Sequence, residues 1–467
     1  MMSHHSDIES NVSVSSRSSS ISFAPSLNQA QMRVFLVQTA KGLFSSSGGY
    51  KAYICLLRYL ASQGHSVRRL YYSHRGEADA VARTMAKSGE HDLQLHKRQL
   101  HLRCGYGEDG TGVAVDELVM EDGVQYLALE NEAFVEAFGD TENLLKAMPR
   151  ETARYIETGI LSARLHDFVS FLQEINKFSP THIIFNDGLS MQATSALQIP
   201  RINARRIAVI HTAKQLPFGP FAGSMPSMLS SLHESKLLQE LDGIWSVSKA
   251  IKRYAIDHWK LQSNFLVHHP WTYLEQRNHG LPLRLDNWNR KFVGMINPCP
   301  VKGAQILVGL AKSCPQHKFL AYKSWGFDEK CGRQMQAQKN IIIRPTCKDT
   351  AEVWRNIKLL LVPSLWFEAW GIVTIEAHLR GIPVISSNAG ALPEAMLGLD
   401  HVIPVNTMNG DCDEEGAYIV PDQDIAPSAS VVNRLMSDKD QYKRLLDKVR
   451  STTKQWLKDA NEKALEK

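Results

Sequence analysis

Paired cysteines, long apolar runs and an excess of one charge are all scarce in this chain. The seven cysteines (Cys55, Cys104, Cys299, Cys314, Cys331, Cys347, Cys412) are odd in number, scattered and never spaced as CxxC. A disulfide framework or a cysteine-built zinc site is therefore not expected, and the expected compartment is reducing and cytoplasmic. No apolar stretch approaches the ~20 residues that cross a bilayer, so no transmembrane segment is expected. The first residues hold neither the apolar core of a secretory signal nor an Arg-rich amphipathic transit helix. Basic and acidic residues nearly balance, 53 against 48, for a net charge of +5. That argues against nucleic acid as a partner, because its binders gather basic residues on one face. What is present is ordinary globular material, 43% hydrophobic and 22% charged. At 467 residues the chain exceeds one core of ~100–200 residues, and two or three domains follow.

Residues 1–30 hold eleven serines and almost no apolar periodicity. Such a segment cannot bury enough surface to offset its ordering entropy and reads as a disordered tail. Order begins at Arg33–Gln38, a short β-branched and aromatic strand. A Gly/Ser loop over 41–49 follows, then a helix over 50–63 and a strand over 67–72, which together make one β-loop-α-β unit. Residues 74–130 read as an irregular or hairpin insertion. Its basic edge at 91–103 is either simply solvated or a place of peripheral membrane contact. Helical text covers 131–178, and strands are expected at 182–186, 206–210, 243–247 and 265–268, with a helix at 249–259. The stretch 273–289 reads as a linker. Beyond it strands at 291–296, 318–322, 340–344, 358–362 and 383–386 alternate with helices near 303–314, 328–338, 349–357, 371–380 and 391–397. That spacing predicts a doubly wound parallel sheet. The expected division is a tail over 1–30, a Rossmann-like domain over 31–285, a second over 286–437 and a charged helical segment over 438–467.

In open α/β sheets ligands bind beyond the carboxyl ends of the strands. One such loop is rich in chemistry: Pro363-Ser364-Leu365-Trp366-Phe367-Glu368-Ala369-Trp370-Gly371. A helix starting after Gly371 would offer unpaired N–H groups and the positive end of its dipole, which suit a phosphate or a sugar hydroxyl. Glu368 in the loop and Glu376 in the helix could hold two sets of hydroxyls. Taken singly, each of these residues could equally be an ordinary surface glutamate or a turn glycine.

Together they resemble the signature of retaining, nucleotide-sugar-dependent glycosyltransferases of the GT-B fold. The elements are Pro363-Ser364, Glu368, Gly371 three residues later, Glu376 eight after the first glutamate, then Gly381-Ile382-Pro383-Val384 and a Gly-x-x-x-Glu at Gly390 and Glu394. The resemblance covers most of 33–437. It implies two Rossmann-like domains facing a cleft, with the C-terminal helix returning to the first. It also implies donor contacts from Gly48, Gly49, Lys302, Arg344, Glu368, Ala369, Trp370, Gly371, Ile372 and Glu376, and catalytic roles for His211, Glu368 and Lys302. In such members Lys302-Gly303 binds the diphosphate, Glu376 the ribose, Glu368 the sugar hydroxyls, and His211 lies by the transferred sugar. An arginine common after the glycine corresponding to Gly294 is absent, since Met295 stands there. Arg344 or Lys323, each at an expected strand end, could replace it. No cofactor and no metal are expected: the fold needs no DxD motif and none stands out.

The implied reaction moves a sugar, with retention, from a nucleotide-diphosphate sugar (UDP favoured) to a hydroxylated acceptor. The stretch from His211 to Phe221 is aromatic and Pro/Gly-rich. It either walls a pocket for a small-molecule or lipid-like acceptor or packs as a surface loop. The alternatives are a sugar-nucleotide epimerase of the same fold, a catalytically silent nucleotide-sugar-binding regulator and, last, a glycosidase using the two glutamates.

Overall fold

A computed structural model describes residues 31–37, 48–87, 94–102, 111–119, 123–130, 154, 158, 160, 178–186, 190–191, 194–195, 204–221, 232–270, 282–345, 350–415, 417–460 and 462–466. The serine-rich tail, the first part of the glycine loop and most of the helical text at 131–178 lie outside them.

The N-terminal lobe is built on β1 (Arg33–Val37), whose Val34, Phe35, Leu36 and Val37 are all buried. A strand covered by helices on both faces must be apolar throughout, as this one is. Helix α1 (Gly48–Ser62) leads to β2 (Ser66–Ser73) and α2 (Glu77–Lys87). Next come β3 (Gln94–Leu102), β4 (Thr111–Val119) and β5 (Val124–Glu130), then β6 (His182–Phe185) and β7 (Arg205–Ile210). Helix α3 (Leu232–Gln239), β8 (Gly243–Ser246), α4 (Lys249–Trp259) and β9 (Phe265–Val267) complete the lobe. The nine strands pair in the order β3-β4-β5-β2-β1-β6-β7-β8-β9. All pairs are parallel except those of β4, which runs antiparallel to β3 and β5. The stretch expected as an irregular or hairpin insertion thus holds three strands, with β3 and β4 an antiparallel pair at the sheet edge and β5 joining them to β2, preceded by a helix that the sequence reading did not include.

The C-terminal lobe contains β10 (Phe292–Ile296), α5 (Ala304–Ser313), β11 (Lys318–Tyr322), α6 (Glu329–Gln336) and β12 (Ile341–Arg344). It continues through α7 (Thr350–Asn356), β13 (Ile357–Val362), α8 (Ile372–Leu379), β14 (Val384–Ser387), α9 (Leu392–Ala395), β15 (Val402–Ile403) and α10 (Ala426–Ser437). Its strands lie parallel in the order β12-β11-β10-β13-β14-β15. Lys358 is buried within β13 because its ammonium lies 3.3 Å from the Trp288 ring centroid and donates to the Met436 carbonyl at 2.9 Å. Burial lowers its pKa to about 8. Residues 282–289, read as the end of a linker, are docked on this lobe. The Leu285 N–H donates to the Arg380 carbonyl, and the buried Asn287 amide donates to the carbonyls of Trp354 and Ile357.

Asp438 caps α11 (Lys439–Asp459), accepting from the N–H groups of Asp440 and Gln441. Near its end Trp456 and Leu457 pack on a core cluster spanning both lobes. That cluster joins Phe35, Ile210 and Phe218 to Ala369, Trp370, Ile375 and Ala395. A final turn, Glu462–Glu466, places Leu465 on the β1 and α1 core, and Glu466 accepts a hydrogen bond from Tyr59 at 2.7 Å.

Candidate functional site

The carboxyl ends of the two sheets meet where helices α1 and α8 begin. A Cβ on Gly48, the first residue of α1, would lie 3.2 Å from Cγ2 of Ile372, the first residue of α8. A Cβ on Gly49 would lie 3.3 Å from the His211 ring. Two positive helix ends and the end of β7 therefore converge, and small residues are what allows it.

Lys302 ends a short turn, Pro300–Lys302, that follows β10. The residue after it must be glycine: Gly303 has φ +80, and a Cβ there would sit 2.1 Å from the Pro363 carbonyl oxygen. This contact brings the Lys302 turn against the loop after β13. The Val301 carbonyl fixes it further by accepting the N–H groups of Leu365 and Trp366 at 3.0 and 3.2 Å. Lys302 pairs with Glu368, which also accepts the Ser364 hydroxyl at 2.6 Å. From the other side Gly390, at φ +59, brings its backbone onto Glu368, where a Cβ would meet the Glu368 carbonyl oxygen at 2.3 Å. The Ala391 N–H donates to that carbonyl at 2.7 Å. The loop is thus held by backbone from two directions while its carboxylate faces the lysine.

His211 is not a cation here. Burial takes its pKa to about 3, and its neutral ring lies edge-on to Tyr53, with centroids 4.6 Å apart. Its Nε2 has no hydrogen-bond partner among the described residues. The Gln215 side chain accepts the His211 N–H at 2.6 Å, part of a capping box around Ala213–Gln215. Ala369 and Trp370 are buried, and Glu376 is half-buried on the second turn of α8. Arg344 is exposed at the end of the edge strand β12, two strand spacings from β10, or ~10 Å at ~4.8 Å per strand. The Lys323 ammonium lies 4.4 Å from the Phe327 ring centroid, at the end of β11.

Two contacts between the lobes escaped the sequence reading, although Glu394 itself was singled out in the Gly-x-x-x-Glu element. Lys214, within the loop read as an apolar wall, reaches across to the other lobe and places its ammonium 4.6 Å from the Trp366 ring centroid. Burial lowers its pKa, and no acidic partner meets it among the described residues. Glu394 reaches the N-terminal lobe, where it contacts His269 and the start of α4. Neither contact has a local signal, because the partners lie more than a hundred residues away in sequence. Among the described residues no three His, Cys, Asp or Glu side chains are grouped to hold a metal, and no helix is long and apolar enough to cross a membrane.

Residues 291–438 match the family model described as glycosyl transferases group 1. This segment is similar to that family's domain. Within it lie Lys302, Glu368, Gly371, Glu376 and Glu394. The D-inositol 3-phosphate glycosyltransferase of Streptomyces bingchenggensis is 30% identical over 148 residues, which is 31% of this chain and 26% of that protein. The match therefore spans about a quarter of that relative's length. The similarity in structure is broader. Sucrose-phosphate synthase from Thermosynechococcus elongatus superposes with a TM-score of 0.60 at 15% identity, covering 93% of this chain and 96% of that one. A glycosyltransferase from Rickettsia africae gives 0.56 at 14%, covering 93% and 96%. Anabaena HepE, solved with UDP-glucose, gives 0.55 at 12%, covering 93% and 97%. At such identities the likeness shows the fold, GT-B.

Proposed function

We propose that this chain transfers a sugar from a nucleoside-diphosphate sugar, a UDP-sugar by preference, to a hydroxylated acceptor with retention at the anomeric carbon. The observation that carries this reading is the convergence of Lys302, Glu368 and the first residues of α1 and α8 at one corner between the lobes. Cleavage of the bond to the diphosphate builds negative charge on the leaving group and positive charge on the sugar. Lys302 and the N–H groups opening α8 are preorganised for the first, and Glu368 for hydroxyls of the second. The Glu368 carboxylate is engaged by Lys302 and Ser364, which suits holding a sugar better than attacking it. The departing phosphate then takes the acceptor proton on the face it leaves, giving retention without an enzymic nucleophile. In this reading Glu376, on the second turn of α8, binds the ribose hydroxyls. Buried, neutral His211 serves as a hydrogen-bonding group beneath the sugar and not as a charged acid. Lys214, desolvated over Trp366, offers a second cation for an anionic group of either substrate. The UDP preference draws support from neighbours such as Anabaena HepE, solved with UDP-glucose.

A thermal-denaturation panel with UDP-, GDP-, ADP- and TDP-sugars tests the reading. A ligand at ~100 times its dissociation constant adds ~2.7 kcal/mol, so a true donor raises the melting temperature by several degrees. Incubation of that donor without acceptor should leave its sugar unchanged, and an altered sugar would indicate an epimerase instead. No stabilisation by any of the four overturns the proposal.

A further inference from the structure

The lobes also touch beside α9, through Glu394 and His269, to which the chemistry above gives no part. Glu394 Oε1 accepts the Lys249 N–H at 3.0 Å, and Oε2 accepts the Ala250 N–H at 3.3 Å. These are first-turn donors of α4, a helix whose own cap, Ser248, accepts only from Ile251. A carboxylate from the opposite lobe therefore completes the capping and meets the positive end of the dipole. Oε1 also lies 2.6 Å from His269 Nε2. Because the carboxylate can only accept, that nitrogen carries the proton and donates. Burial pushes the Glu394 carboxyl up, but the His269 ring and the two backbone N–H groups outweigh it and hold it below the ordinary carboxylate range. The His269 ring stacks on Trp370 with centroids 4.2 Å apart and planes 19° from parallel. Trp370 in turn donates its indole N–H to the Pro270 carbonyl at 2.8 Å.

The sequence places this cluster on both flanks of the donor corner. Trp370 directly precedes Gly371 and is two residues from Glu368. Glu394 is four residues from Gly390, whose backbone closes on Glu368, and three from Ala391, whose N–H binds the Glu368 carbonyl. We propose that Glu394, His269 and Trp370 are positioning residues. They seat both flanks of the Glu368 loop on the N-terminal lobe, so that Lys302, Glu368 and Gly48 share one geometry when the donor binds. The inference rests on the reading of that corner as the donor site. If the lobes separate, two helix-end N–H groups and a carboxylate lose their partners, and the loop loses its anchor on each side.

The test compares Glu394→Ala, Glu394→Gln and Trp370→Phe in the full chain. The readouts are UDP affinity by calorimetry, donor and acceptor KM against kcat, the solution radius of gyration and the melting temperature. Loss of hydrogen bonds to a charged group is worth ~10–100-fold in an equilibrium. Glu394→Ala should therefore weaken UDP binding and raise the donor KM at least ~10-fold, enlarge the radius of gyration and leave the acceptor KM unchanged. Glu394→Gln keeps an oxygen acceptor and should recover most of the affinity. Trp370→Phe keeps the stack, loses the bond to Pro270 and should fall between. UDP affinity and radius at wild-type values in Glu394→Ala overturn the proposal. So does a loss of melting temperature that shifts both KM values alike and is not rescued by glutamine, which marks a merely structural role. Should the wild type bind none of the four nucleoside-diphosphate sugars, the functional reading fails, and the radius of gyration alone decides whether Glu394 holds the lobes together.

Discussion

Gly303→Ala separates a steric role at the donor corner from ordinary backbone preference. Two costs are expected. The first is conformational: φ is +80, and an L side chain in the left-handed region costs ~1–2 kcal/mol. The second is contact. The added methyl would lie 2.1 Å from the Pro363 carbonyl oxygen and 3.0 Å from its carbon. Both are backbone at the end of β13, so no side chain can swing away. Ordinary contact requires the Lys302 turn to retreat by over ~1 Å, an overpacking strain of ~1–3 kcal/mol. Together they make ~2–5 kcal/mol, or a drop of roughly 5–15 °C in melting temperature for a lobe of this size. The retreat carries the Lys302 ammonium away from Glu368, and a misplacement of ~1 Å is worth ~100-fold in turnover. Gly398→Ala is the matched control. Its φ is +76, yet a Cβ there meets nothing within 4 Å, so only the conformational cost applies and turnover is preserved. Calorimetric melting and donor turnover on the two variants decide the matter. If Gly303→Ala and Gly398→Ala behave alike in both assays, the account of why glycine follows Lys302 is wrong.

Lys302→Met should lower kcat by ~100–1000-fold, the usual loss for one preorganised electrostatic donor, whereas Lys302→Arg keeps the charge and should lose less. Full turnover in the methionine variant removes Lys302 from the mechanism. Lys214→Met should weaken an anionic substrate by ~10-fold, the size of one charge-assisted hydrogen bond, and leave the melting temperature unchanged or raised, because it removes a desolvated cation with no acidic partner among the described residues. Unaltered affinity for both substrates refutes that role. His211 and His378 are held neutral by burial, each with a pKa lowered from 6.5 to about 3. Between those values the unfolded chain binds more protons, so stability falls as the pH drops from 6.5 towards 3, by up to ~1.4 kcal/mol per pH unit for each ring. Urea denaturation between pH 7 and pH 4 should show this slope, His378→Leu should reduce it, and a flat profile contradicts the burial argument.

The central strands were readable because burial on both faces leaves only one solution, an unbroken apolar run such as Val34-Phe35-Leu36-Val37. Lys358 did not disguise β13, since five apolar residues surround it, yet how it is tolerated depends on Trp288 and Met436, which no local pattern connects to it. The two-residue strand β15 is defined by pairing with Ser386 and Ser387 and has no periodicity to detect. Helix α2 was missed because a stretch rich in alanine and charge has little apolar weight. At the candidate site the contrast is similar. The two glutamates were legible, since their spacing is set by one loop and one helix, and Lys302-Gly303 because it stands in the turn just after a strand end. Where Arg344 would stand depended on strand order, and β12 is at the sheet edge. Lys214 and Glu394 gain their meaning only when the lobes face each other.

The apolar cluster running from Phe35, Ile210 and Phe218 into Trp370, Ile375 and Ala395 bears on how chains of this fold can be recombined. Severing the connection after β9 would not release two self-sufficient halves, because each would carry a raw hydrophobic seam into water. A hybrid that grafts the second half onto a foreign first half should therefore stay soluble only when the side chains along that seam are exchanged as a set.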